Sequence, residues 1–341
     1  MCLVRLPSVR AQWQDGLVTS FCKKVMTHHR WTVIHGCIRT CGLQPDEVQS
    51  SDKLWKVRGW IDQFNTVMPQ LVAPFQFMSS DETTIKFTGH ASTRMYTNKP
   101  SAKVGFRVYT LANVAGCLLR MEPYSGQSRT WTDIVCDLVP SEMDNGGFVV
   151  VLDRLYASPA LSTRLLSRGI HTLGTCQTNR TDYPSSITLK DSAVEGAMKC
   201  AVVRHGSHHM LTAVSWKDRK VVNMLTTLRV AKVFQTTDRL QAKTWVKLNR
   251  AVPTIVPLYN KTMGGVDLFD SFLKKAMPKM RYDRWTTWYA HICYVSCEHD
   301  SRTNERFLQL HITGDWLGHG QCMASNVSAR WYPAFSTAEQ A

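Results

Sequence analysis

Four aspartates stand in surroundings that suit chemistry: Asp81 in SSDETTIKF, Asp153 in VVVLDRLY, and Asp267 with Asp270 in YNKTMGGVDLFDSF. Carboxylates are hard oxygen donors, so gathered together these would form a site for Mg²⁺ or Mn²⁺. Two such ions, about 3.5–4 Å apart, could activate a water or a 3′-hydroxyl and stabilise the leaving oxygen of a phosphodiester. Without cations, clustered carboxylates repel and raise one another's pKa, which makes the cluster costly as pure architecture. A plainer reading stands beside this one. A lone Asp after a strand is commonly a turn or cap residue, and Asp270 could pair with Lys274 at i, i+4 for about 0.2–0.5 kcal/mol.

The elements that must position these acids differ in kind. Phe148-Val-Val-Val-Leu152 is a continuous apolar run, as expected of a strand buried on both faces, and Asp153 stands at its C-terminal end, where open α/β sheets place their ligands. Ser158-Pro159 supplies an N-cap and a first-turn proline for a helix through Leu161, Leu165 and Leu166 that ends at Gly169. The following IHTLGTC reads as another strand, so this passage predicts an α/β unit. Asp81 opens a stretch of strands (ETTIKFTG, AKVGFRVYTLA, AGCLLRMEPY) that runs to Gly126. Alternation along a strand prevents Asp81 and Glu82 from facing one site together. Asp267 and Asp270, three apart, share a face of a helix predicted from about Gly265 to Ala276.

The remaining sequence frames these pieces. Residues 1–75 read as mainly helical, with Leu54, Val57, Ile61 and Phe64 at helical spacing, Asp52 as a cap, and Trp55 and Trp60 as packing residues. Thr130 to Leu138 reads as a short helix. Gly196 to about Ala251 reads as a separate, mostly β insert, with Pro253 and Pro257 bracketing its exit. Trp285 to Leu310 is aromatic-rich and helical in pattern. His208-His209 suits a surface turn. Trp216-Lys217 and Arg284-Trp285 suit either stacking on bases or buried rings with snorkelling cations.

The 341 residues include 41 Lys and Arg against 26 acids, a formal net charge of +15. That excess favours a polyanionic partner. Neutralising about 6–10 phosphates would cost roughly 10³–10⁵ in affinity between 50 and 200 mM salt. Apolar residues at 44% and charged residues at 20% suit a soluble globular chain. The start MCLVRLPSVRAQWQDG has no long apolar stretch, and no run approaches the ~20 apolar residues of a membrane span. Eleven scattered cysteines suit reduced thiols inside the cell.

The order and wording of several segments resemble the piggyBac transposase family, including host proteins derived from piggyBac elements. The carrying residues are Asp52-Lys-Leu-Trp-Lys-Val-Arg58, Ser80-Asp-Glu82 with Phe87 and Gly89, and Lys99-Pro100 with Gly105. They continue with Leu152-Asp-Arg-Leu-Tyr-Ala-Ser158, Gly174-Thr175 with Asn179-Arg180, and Trp216-Lys-Asp-Arg-Lys220. The most specific is Tyr259-Asn-Lys-Thr-Met-Gly-Gly-Val-Asp267 with Asp270, followed by Arg281 and Arg284-Trp285. The resemblance implies an α/β fold: an RNase H-like (DDE/D transposase) core with a β-rich insertion and flanking helical segments. Its parts would be a helical dimerisation and DNA-binding segment over 1–75, the core over 76–195, and the insertion over 196–251. The final catalytic helix would lie in 252–276 and a C-terminal helical DNA-binding segment in 277–341.

The resemblance further implies cut-and-paste DNA transposition at TTAA targets, through metal-dependent strand cleavage and transfer, in a nuclear homodimer. Matched by motif, Asp81, Asp153 and Asp267 are the catalytic metal ligands, taking Mg²⁺ or Mn²⁺ as two ions, and Asp270 is the additional catalytic acid. Lys274, Lys275, Lys279, Arg281 and Arg284 would contact DNA. The sequence departs from the family at Arg154, where Asn is usual, at His90, where Arg is usual, and at Asn113, where Asp is common. It contains no Cys-x-x-Cys, and the spacing of Cys293, Cys297, His299, His319 and Cys322 fits no standard zinc pattern, so zinc is not expected; the same holds for Cys37 and Cys41. The alternative function is a domesticated or degenerate DNA-binding derivative without catalytic activity.

Overall fold

The computed structural model describes residues 10–13, 20–37, 52–72, 75–96, 104–205, 208–229, 234–240, 247–276, 284–293 and 295–297. The chain divides into two compact units. The first draws on Met1–Ala73, Asp81–Arg129 and Gly265–Asn304, the second on Pro74–Ser80, Thr130–Gly264 and Glu305–Ala341. In chain order the helices are α1 (Ser20–Val25), α2 (His28–Cys37), α3 (Trp55–Leu71), α4 (Trp131–Leu138), α5 (Pro159–Leu166), α6 (Ile255–Thr262) and α7 (Gly265–Ala276). The strands are β1 (Phe77–Lys86), β2 (Met95–Tyr96), β3 (Val104–Asn113), β4 (Leu118–Pro123), β5 (Val149–Leu152) and β6 (His171–Thr175). They continue with β7 (Met198–His205), β8 (His208–Lys217), β9 (Val221–Thr226), β10 (Phe234–Leu240) and β11 (Lys247–Pro253). Among the described residues, no helix is long and apolar enough to cross a membrane.

In the second unit, β5 lies between two parallel neighbours, which explains its unbroken apolar sequence. Phe77 to Ser80 of β1 register with Val149 to Leu152, and these with His171 to Gly174 of β6. All four β5 side chains are buried. Beyond β6 the sheet continues antiparallel through β9, β8 and β7, while β10 and β11 form their own hairpin. Val149, Leu173, Val214, Trp216, Met224, Val252 and Ile255 fill one core. Complete burial of a Val, Leu or Ile contributes about 1.5–3 kcal/mol each, so this cluster anchors β8 and β9 to the central strands.

Local sequence sets the ends of the connecting helices. The Ser158 hydroxyl accepts from Leu161 N at 3.2 Å, with Pro159 in the first turn. After α5, Gly169 adopts φ +69°, and a Cβ there would stand 2.6 Å from Asn145 Oδ1. Thr130 caps α4 by accepting from Asp133 N at 3.1 Å. Helix α6 departs from the expectation that Pro253 and Pro257 bracket an exit. Pro257 occupies the first turn, where its missing N–H has no intrahelical partner to lose.

In the first unit, Leu54, Val57, Ile61, Phe64 and Met68 are buried along α3. The helix begins at Trp55, and Asp52 acts before it: Asp52 Oδ1 accepts from Leu54 N at 2.9 Å and Oδ2 from Arg58 Nε at 2.8 Å. Trp60, expected to pack, is 43% exposed; the apolar stripe of α3 leaves it on the other face. Asn65 binds both backbone groups of Met121 at 2.9 Å, tying α3 to β4.

Phe87 N donates to Val104 O, and the Thr110 hydroxyl donates to the Asp81 carbonyl, so β1 and β3 run antiparallel. Their backbones approach so closely that a Cβ on Gly105 would lie 2.0 Å from Ile85 O. Helix α7 buries Val266, Phe269 and Leu273 and packs on β3. Residues 285–293 are helical and set Tyr289 against Phe106 with ring centroids 5.5 Å apart.

Candidate active site

Each candidate acid has its own means of support. Asp153 is the residue directly after β5, half-buried at the carboxyl end of two parallel strands. Its carbonyl accepts from Tyr156 N at 3.0 Å and Ala157 N at 3.1 Å, which closes the turn into α5. Arg180 braces the same turn by donating from its guanidinium to Leu155 O. The Thr175 hydroxyl, at the end of β6, donates to Asp153 Oδ1 at 3.5 Å and stands 3.5 Å from the Tyr259 phenol of α6.

Arg154, the departure beside Asp153, is exposed and forms no ion pair among the described residues. One step along the chain from Asp153, its side chain turns outward instead of competing for the carboxylate.

Asp81 lies within β1, not at its start as the sequence pattern suggested, because the strand begins four residues earlier at Phe77. It is half-buried, and its Oδ1 accepts from Glu82 N at 2.7 Å. Behind it, the Thr110 hydroxyl holds the Asp81 carbonyl at 2.9 Å and lies 3.4 Å from the Thr83 hydroxyl.

Asp267 and Asp270 are in the first turns of α7, Asp267 exposed and Asp270 half-buried beside the Val266–Phe269–Leu273 stripe. Acids here also suit the positive end of the helix dipole. The helix docks where the β3–β4 turn is tight. Asn113 Oδ1 accepts from Ala115 N at 3.0 Å and Cys117 N at 2.9 Å, and Gly116 at φ +84° would place a Cβ 2.9 Å from Leu268 Cβ. Asn113, although it departs from the family pattern, is thus structurally employed, since its side chain shapes the turn that receives α7.

The donor atoms on Asp81, Asp153, Asp267 and Asp270, with Thr175 and Tyr259 near the second of these, are all oxygens, the chemistry that Mg²⁺ and Mn²⁺ accept. Among the described residues, no group of three or more His, Cys, Asp or Glu stands close enough together to hold a metal ion.

The cationic candidates separate. Lys274 and Lys275 are exposed in the last turn of α7, and Arg284 is exposed while donating to Gly36 O at 2.9 Å. Lys279 and Arg281 lie outside the described residues, as do Lys99, Pro100, Cys41, His299, His319 and Cys322. Cys293 is buried, and Cys297 Sγ is 3.6 Å from Met68 Sδ. Burial pushes the Cys293 thiol up to about 12. Trp216 belongs to the core of the second unit, and Trp285 to the aromatic group of Phe106 and Tyr289.

The model of a family described as Transposase IS4 matches residues 1–297. Human PiggyBac transposable element-derived protein 2 is 24% identical over 253 residues, covering 70% of this chain and 42% of that protein. The chain belongs to the piggyBac transposase family. Human PiggyBac transposable element-derived protein 3 is 22% identical over 247 residues, covering 69% of this chain and 41% of that protein. This piggyBac family chain therefore spans less than half the length of these curated relatives. Its fold resembles that of a piggyBac transposase in a synaptic complex with hairpin DNA, with a TM-score of 0.67 at 22% identity over 87% of this chain and 61% of that one. The likeness establishes a mixed α/β fold with a large, mostly sheet core.

Thr175, Arg180 and Tyr259 belong to the family-like segments of the sequence, but the sequence alone assigns none of them a role. The signal that could have found Thr175 is its place at the carboxyl end of the strand parallel to β5.

Proposed function

We propose that this chain is the catalytic part of a piggyBac-type DNA transposase, which cuts double-stranded DNA and joins it at TTAA targets with the help of Mg²⁺ or Mn²⁺. The observation that carries the reading is a register. The last parallel pair of β1 and β5 is Ser80 with Leu152, and the next residue along the chain after each is an aspartate, Asp81 within β1 and Asp153 just past the end of β5. The strand connections also favour an RNase H-like core: β4 antiparallel to β3, β3 antiparallel to β1, then β1, β5 and β6 parallel. On this reading Asp81, Asp153 and Asp267 would hold the ions, and Asp270 is their neighbour on α7.

When bound, the divalent ions supply Lewis-acid activation of the attacking oxygen and stabilise the leaving one. The chain's own residues supply position. Thr110 holds the backbone at Asp81, Arg180 holds the turn after Asp153, and the β3–β4 turn seats the first turn of α7. Lys274, Lys275 and Arg284, with Lys279 and Arg281, would neutralise DNA phosphates in a nuclear homodimer.

A second reading, DNA binding without cleavage, is favoured by a net charge of +15 together with the absence, among the described residues, of three acids close enough to hold a metal ion. One assay separates the two. Purified protein is incubated with a labelled terminal-repeat duplex and Mg²⁺ or Mn²⁺. Nicking that disappears in Asp267→Ala supports catalysis. Salt-sensitive binding without nicking supports the second reading, and nicking that persists in Asp267→Ala overturns the assignment of the acids.

A further inference from the structure

Three oxygens in the second unit form a chain that neither the family resemblance nor the metal reading assigns. Asp153 Oδ1, the Thr175 hydroxyl and the Tyr259 phenol follow one another at 3.5 Å per step. Thr175 is fixed at the end of β6, and Tyr259 projects from α6, which packs on β6 and β11. Both supports are rigid elements of one unit.

Hydrogen-bond chemistry gives this chain a direction. An ionised carboxylate only accepts, so the single Thr175 proton goes to Asp153 Oδ1. Thr175 then meets Tyr259 with a lone pair, and the phenol must be the donor. The polarised sequence Tyr259 O–H to Thr175 Oγ1, then Thr175 O–H to Asp153 Oδ1, is the one arrangement that satisfies both contacts. It occupies one carboxylate oxygen and leaves Oδ2 with no protein partner among the described residues. Steps of 3.5 Å are long for O–H···O bonds, and catalytic-site bonds commonly shorten when a ligand draws on the carboxylate.

We propose that Thr175 and Tyr259 are positioning residues that orient Asp153 so that Oδ2 is the oxygen presented to a divalent cation. The inference rests on the metal reading of Asp153 given above. Hydrogen-bond partners of metal-ligating groups typically govern about 10–100-fold in metal affinity. Loss of the Thr175 hydroxyl should therefore weaken cation binding by about that factor while leaving the acid itself in place.

The test measures Mn²⁺ binding to the full chain by calorimetry and by electron paramagnetic resonance, without DNA. The proteins are wild type, Asp153→Asn, Thr175→Val, Thr175→Ser and Tyr259→Phe, each checked by circular dichroism. The expected result is Mn²⁺ binding lost in Asp153→Asn and weakened about 10–100-fold in Thr175→Val. Tyr259→Phe should show a smaller loss, and Thr175→Ser should bind like wild type because it keeps the hydroxyl. Should Thr175→Val unfold, the comparison of Tyr259→Phe and Thr175→Ser with wild type still decides the matter. Asp153-dependent binding that is indifferent to both hydroxyls overturns the positioning role alone. Wild-type protein with no Mn²⁺ binding overturns the metal reading and this inference with it.

Discussion

Replacing Arg168 with methionine should be among the most damaging single changes in the second unit. Its guanidinium donates to Cys136 O at 3.1 Å, to Val139 O at 3.0 Å and to Pro140 O at 3.1 Å, and it pairs with Asp144 Oδ1 at 2.7 Å. The Cys136 and Val139 carbonyls lie at the C-terminal end of α4, where backbone acceptors lack intrahelical partners and a cation also meets the negative end of the dipole, while Pro140 O, just beyond, also accepts from Met143 N. A net bond to a charged group is worth about 1.5–3 kcal/mol in a buried setting. The Arg168 side chain is 22% exposed and that of Asp144 35%, so part of this is screened by solvent. The bonds share one group and do not add, which leaves an expected loss of about 2–4 kcal/mol. For a domain of about 150–250 residues that corresponds to a fall in Tm of roughly 5–15 °C. Urea titration followed by circular dichroism should show a lower midpoint with an unchanged slope. Arg168→Lys should recover only part, since an ammonium cannot reproduce the planar fork. Arg164→Met provides the control, because the Arg164–Asp133 pair is exposed on both sides (52% and 45%) and should hardly move the midpoint. Equal midpoints for Arg168→Met and wild type would refute the reasoning.

Two other perturbations follow from local geometry. Gly105→Ala forces a Cβ to 2.0 Å from the Ile85 carbonyl, a backbone atom that cannot step aside, so β1 and β3 must separate locally. The expected outcome is loss of amide protection across β1 and β3 by hydrogen exchange, with unchanged exchange in both strands speaking against it. His35 and His291 lie with ring centroids 6.1 Å apart, and His35 stacks on Trp31 at 4.8 Å. Burial first, then Arg284, lowers the His35 pKa; burial first, then His35, lowers that of His291. A histidine kept neutral by the fold contributes stability above its ordinary value of about 6.5, and that contribution is lost as pH falls through the lowered folded value. Tryptophan emission should therefore change below about pH 6.5, and His35→Gln should flatten the change. Emission unaltered by acid down to about pH 5 would count against it.

The sequence is most legible where one local rule has no competitor. The apolar run of β5, the Ser158–Pro159 start of α5 and the Gly169 stop depend on neighbours close in the chain, and each stands where the pattern places it. Helix α6 is hidden because Pro257 reads as a breaker until its position in the first turn is known. The start of β1 at Phe77 is hidden because its partner strand, β5, lies far ahead in sequence. Trp60 shows the same limit in reverse, since its size suggests packing while the stripe of α3 points elsewhere. Of the candidate site, the aspartates can be named from their settings. The hydroxyls of Thr110 and Thr175 cannot, because their roles exist only once β3 meets β1 and β6 meets β5. The part Asn113 plays in receiving α7 is equally invisible, being a matter of turn geometry.

The first unit is assembled from segments that the chain supplies at very different times. Its strands end by Arg129, yet α7 begins only at Gly265, after all of residues 130–264 have been synthesised. During translation the face of β3 must wait, uncovered, for the Val266–Phe269–Leu273 stripe that will seal it, a high-contact-order step of the kind that folds slowly and invites aggregation. A message cut short within residues 130–264 would therefore yield a sticky fragment carrying Asp81 but lacking both the helix that completes its unit and the acids on it. Production of such a chain is governed by how reliably ribosomes reach the end of α7.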